Sequence, residues 1–101
     1  MRLLAAVDLG EGLESVVESA RFLQEGLGIP AELLHVVPTP YFEALGRRFP
    51  HLRPGLEETL RRVEKEVQKT LADTGLRARV LRGFPAQVVA GEALRSRLVL
   101  L

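Results

Sequence analysis

The sequence predicts an α/β domain with an open parallel sheet, doubly wound with helices on both faces, and three observations carry that expectation. Short apolar runs alternate with helical patterns along the whole chain. The runs at 3–7 and 33–37 are nearly continuous in apolar residues, as strands covered on both faces are. Glycine or proline punctuates most of the junctions between them. With 101 residues there is room for one domain, 1–101, and one core.

The first strand is Leu3-Leu4-Ala5-Ala6-Val7, too short an apolar run to be a helix of its own. Leu13, Val16, Val17, Ala20, Leu23 and Leu27 then recur at three- and four-residue steps, with Glu11 and Glu14 where a helix dipole favours acids. Gly26-Leu27-Gly28-Ile29-Pro30 stops that helix, since either glycine takes the left-handed conformation and proline bars continuation. Ala31 to Val37 reads as the second strand and halts at Pro38-Thr39-Pro40. Strand, helix and strand together make a right-handed crossover unit.

A long loop is expected at 38–54, a stretch with four prolines and the aromatics Tyr41, Phe42 and Phe49. Tyr41, Phe42, Leu45 and Phe49 are spaced for a helical turn or two inside it. They suit a flap packed on the core, or a lid or partner surface. Leu56, Leu60, Val63, Val67 and Leu71 mark a second long helix ending at Gly75, with Glu57 facing Arg61 and Glu58 facing Arg62 on a solvated side. Arg77 to Arg82 mixes charge with apolar residues, as a strand at a sheet edge does, although three arginines also suit an anion. After Gly83-Phe84-Pro85 comes a short helix through Val88, Val89, Ala93 and Leu94, and residues 97–101 form a fourth apolar strand.

Composition narrows the function. Hydrophobic residues at 47% and charged residues at 27% belong to a folding chain, and a net charge of +1 does not recommend nucleic acid as a partner. No apolar run is long enough to span a bilayer and the amino terminus lacks a signal-peptide pattern, so a cytoplasmic protein is expected, without membrane association. The absence of cysteine excludes disulfides and thiolate metal sites. The absence of asparagine and the excess of arginine over lysine suit a thermophile or a GC-rich genome equally.

In open α/β sheets ligands sit beyond the carboxyl ends of the strands, and Asp8 stands at the end of the first. That position suits an acid accepting hydrogen bonds from ribose hydroxyls or an adenine amine, and equally an acid capping the next helix. Gly10 and Gly12 either offer backbone N–H groups to an anion or simply shape the turn.

Val7-Asp8, the strand Leu33-Leu34-His35-Val36-Val37, the Gly83-Phe84-Pro85 turn and Leu98-Val99-Leu100 resemble, in order and spacing, the universal stress protein (UspA-like) family. The resemblance covers essentially the whole chain. It implies a cytosolic stress-response domain of the adenine-nucleotide-binding fold with strand order 3-2-1-4-5, here 3-2-1-4 with the fifth strand absent. It also implies that Ala6, Asp8, Gly10 and the backbone near Val36 contact ATP or adenosine. Relatives pair through the last strands, so a homodimer through 97–101 or through the loop at 38–54 is expected.

The departures bear on the ligand. Asp-Gly-Ser is replaced by Asp8-Leu9-Gly10, and the aspartate that opens the fourth strand by Arg97. ATP-binding members carry a glycine-rich phosphate loop after strand four, and the sequence stops at Leu101 before any such loop. Weakened or lost ATP binding is therefore expected, with a nucleotide-independent dimerisation or protein-interaction module as the alternative. A small α/β enzyme is the remaining reading, and the residues give it little. His35 lies in an apolar strand, where a packed ring with a satisfied nitrogen is the simpler role than a base, His51 is remote, and no serine has an evident base partner. No ligand set for a metal is recognisable.

Overall fold

The computed structural model describes residues 2–7, 9–94 and 98–100, with Tyr41 and residues 98–100 entering through their backbone alone. Asp8, Arg97 and Leu101, singled out above, lie outside the described residues, as does the side chain of Tyr41. Strands and helices alternate as β1 (Leu3–Ala6), α1 (Leu13–Leu27), β2 (Ala31–Pro38), α2 (Pro40–Arg48), a 3-10 turn (Pro50–Leu52), α3 (Arg53–Ala72), β3 (Arg77–Gly83), α4 (Pro85–Ala93) and β4 (Leu98–Leu100). The chain is thus an α/β protein built on a parallel sheet. Its strands lie in the order β3-β2-β1-β4, with Ala6 opposite Leu34, Pro38 opposite Gly83 and Leu4 opposite Val99.

The two-residue period of the strands divides the core between the two faces of the sheet. Leu3 and Ala5 of β1, Val7 just after it and Leu33 of β2 pack with Val17 and Ala20 of α1 and with Val67 and Leu71 of α3. Leu4, Leu34 and Val36 face the other way, toward Val88 and Val89 of α4 and Leu81 of β3. Leu3, Leu4, Leu33, Leu34 and Leu71 are the largest fully buried side chains. Each contributes about 1.5–3 kcal/mol by leaving water.

Of the two glycines offered as the stop of α1, Gly28 takes the left-handed turn, at φ 67°, and donates its N–H to Gln24 O at 3.0 Å. Gln24 also accepts the N–H of Ala31 at 2.6 Å, which fixes the entry into β2.

The long loop expected at 38–54 is instead mostly helical, and α3 begins at Arg53 rather than near Leu56. The prolines explain the difference. Each of α2, the 3-10 turn and α3 has a proline in its first two positions. There the missing N–H costs nothing, so these prolines start helical segments rather than break them. The 20-residue α3 is about 30 Å long by its rise per residue. It descends from α2, above the carboxyl ends of the strands, to the amino end of β3.

The anion-holding alternative for the β3 arginines is overturned where they are held by carboxylates of the same chain. Arg79 meets Glu32 at 2.6 Å and also Glu92, while Arg82 meets Glu64 and, at 3.1 Å, Glu57. Alternation sends Arg79 to the α4 face and Arg82 to the α3 face. The expected four-residue pairs are present, Glu57 with Arg61 at 3.6 Å and Glu58 with Arg62 at 3.5 Å, both exposed. No helix among the described residues is long and apolar enough to cross a membrane.

Candidate functional site

The ladder between β1 and β2 ends one residue after Ala6, where Val7 N–H donates to Leu34 O at 2.8 Å, whereas β2 continues beside β3 to Pro38. The second strand therefore overhangs the first by His35 to Pro38. Below that overhang a cavity of about 480 Å³ opens at the carboxyl end of the sheet. Ala6 and Val7 form its floor, Leu34, Val36 and Pro38 one wall, and Pro85 and Val89 of α4 the other. Its size falls within the range of small-molecule sites, and like them it is mostly apolar with few polar groups.

Those polar groups come from His35 and from the backbone. His35 Nδ1 lies 2.9 Å from Val7 O. A carbonyl only accepts, so Nδ1 carries the proton, and in the neutral ring Nε2 is left as the acceptor. The contact ties β2 to the last carbonyl of the ladder, as expected of a strand histidine with one satisfied nitrogen. In a strand the N–H and C=O of one residue point to the same side, and residues two apart repeat that direction. Because Leu34 O meets Val7 N, the N–H and C=O of Val36 are directed to the same side. There they lie past Ala6, the last β1 residue in register with β2, the N–H level with Val7 O and the C=O beyond it. They set a donor and an acceptor side by side at the mouth of an apolar slot.

The candidate residues read from the sequence fare unequally. Ala6 and Val36 both bound the cavity. Asp8 lies outside the described residues. The N-cap of α1 is Gly12, and among the described residues no side chain caps that end. Gly10 is exposed on the turn, accepts the N–H of Leu13 at 3.2 Å, and is not among the residues bounding the cavity. A Cβ at Gly10 or Gly12 would meet nothing within 4 Å, so no close approach demands glycine at either position.

Pro38, Pro85 and Val89 were not anticipated as walls. The Gly83-Phe84-Pro85 turn was their signal in the sequence, but it does not say that the helix it starts leans over the end of β1. Gly83 makes that approach feasible. Its φ is 141°, and a Cβ there would meet Val88 Cγ2 at 3.0 Å.

The amino ends of the strands hold a different cluster. Arg2 donates to Glu92 at 2.8 Å, Arg79 bridges Glu92 and Glu32, and Arg2 Nε lies 3.6 Å from Glu32. The hydrogen bond that Arg79 donates to Glu92, followed by its interactions with Glu32, raises the pKa of Arg79 against the cost of its burial. These contacts fasten α4 to β2 and β3 and thereby set the far wall of the crevice. A further recess, of about 370 Å³, lies between α2 and α3, where Arg53 Nε is occupied by Gly46 O at 2.8 Å. The crevice is the stronger candidate because it lies at the strand ends and carries outward-facing backbone groups. No group of three or more histidine or acidic side chains among the described residues is placed to hold a metal ion. In comparisons with known proteins, no protein-family model and no curated protein matches the chain.

Proposed function

We propose that this chain is a cytosolic, universal stress protein-like domain whose doubly wound sheet binds the nucleoside end of an adenine nucleotide in the crevice over β1 and β2. The observation that carries the reading is the juxtaposition at Val36. There a backbone donor and acceptor sit side by side against an apolar slot, which suits a flat heterocycle bearing its own donor and acceptor edge. Asp8, next in the chain after the floor residue Val7, supplies the acid for the ribose hydroxyls.

Residues 1–101 contain no glycine-rich phosphate loop. The affinity of this polypeptide therefore comes from the nucleoside, and adenosine and ATP bind alike and weakly. The same observation favours the second reading, a dimerisation or protein-interaction module that uses no nucleotide. No residue is assigned a catalytic role.

Calorimetric titration with adenosine and ATP, repeated on Asp8→Ala, separates the readings. Similar weak affinities that fall together in the variant support the nucleoside site. Micromolar ATP affinity far above that of adenosine contradicts it, and heat from neither ligand favours the interaction module.

A further inference from the structure

The described arginines differ in their partners. Arg21, turned to a backbone carbonyl, and Arg77, exposed on β3, meet no carboxylate among the described residues. Arg2, Arg61, Arg62, Arg79 and Arg82 each pair with a glutamate of the same chain. Arg47, Arg48 and Arg53 are exposed, and among the described residues none of them meets a carboxylate. All three stand where α2 passes through the 3-10 turn into α3, a tip raised beyond the carboxyl ends of the strands. Phe49 and Leu52 are 40% and 41% exposed there, with the Arg48 guanidinium 5.7 Å from the Phe49 ring centre and His51 at the ring edge. From Ala44 to Leu56 the sequence contains no acid.

The converse surface lies on α1. Glu14, Glu18, Phe22 and Glu25 follow one another at helical spacing along one exposed stripe, and Phe22 is 76% exposed. None of these glutamates is in an ion pair among the described residues. Arg21, the one basic residue of α1, turns its guanidinium to the carbonyl of Thr74. A shallow recess opens beside Phe22, between Glu18 and Leu23. Phe22 lies roughly 14 Å down α1 toward the amino end of the sheet, by its rise per residue, while Glu14 stands in the first turn, so the stripe runs from the tip's end of the sheet toward the other.

We infer that the tip docks on α1 of a second copy of this chain, head to tail. Phe49 and Leu52 cover Phe22 and its recess, while Arg47, Arg48 and Arg53 face Glu14, Glu18 and Glu25. Charge complementarity selects the occupant. Unpaired arginines around exposed apolar residues, and unpaired glutamates around an exposed aromatic, occur on the same polypeptide. The two patches differ, so the contact is heterologous and either propagates or closes into a ring. It is independent of the nucleotide reading.

Sedimentation velocity on three proteins tests it: the wild type, the double variant Arg47→Glu with Arg48→Glu, and the double variant Glu18→Lys with Glu25→Lys. All four positions are exposed, and circular dichroism checks that each variant folds. The wild type is expected to grow beyond a dimer with concentration at about 50 mM salt, and this further growth to weaken roughly tenfold or more at about 0.5 M, as exposed charges are screened. Each variant alone loses that growth. Mixed in equal amounts, the variants form a species larger than either, because one retains the stripe and the other the tip. A mixture no larger than its components, or growth that survives both reversals, overturns the docking. So does a wild type that stays unassociated and binds anionic vesicles through the tip instead.

Discussion

Gly83 fixes both the end of β3 and the lean of α4 over the crevice. With φ at 141° and Val88 Cγ2 only 3.0 Å from where a Cβ would stand, any other residue there is strained in its backbone and makes Val88 give way. Gly83→Ala is expected to cost about 1–3 kcal/mol, read as a lower urea midpoint at unchanged slope. A midpoint within error of the wild type would show that α4 yields freely. Ala6 and Val36 were named from the sequence through the family resemblance rather than through the strand-end rule, which reached only Asp8, and both bound the crevice. The ion pair of Glu32 with Arg79 was not legible there, because its partners are 47 residues apart and meet only once β2 and β3 are in register. Glu32 keeps 11% of its side-chain surface in water. Glu32→Gln leaves Arg2 and Arg79 to share Glu92 alone. A loss of about 1–3 kcal/mol is expected for such a weakened, charge-assisted contact, measured by the same denaturation.

Among the elements, helices and strands were legible wherever a period of two or of three to four ran uninterrupted. The connection at 38–54 was not, because four prolines suggest a loop unless each is seen at a helix start. The β3 arginines marked a sheet edge by their charge, and β3 does end the sheet order on its side, with β4 ending the other. The strand at 98–100 is apolar in sequence, and an apolar edge recruits a further strand. We therefore expect a homodimer through β4, weakened by Val99→Lys and unaffected by reversing the charges of the α2–α3 tip. Light scattering across a concentration series checks this, and a dimer indifferent to Val99→Lys would move the interface away from β4.

For the whole molecule, alternating strands and helices cover a parallel sheet on both faces, and the overhang of β2 past β1 leaves a slot at one end. The α/β class followed from periodicity alone. The slot did not, because it depends on where β1 stops pairing and on how far α4 leans, both set by packing between distant residues. The central claim is that this slot receives a nucleoside, and an adenosine titration followed by backbone amide NMR shifts tests it most directly. The account predicts the largest shifts at Ala6, Val7, Val36 and Val89, with adenosine and ATP producing the same pattern. Shifts confined to the α2–α3 recess, or none at millimolar adenosine, would contradict it.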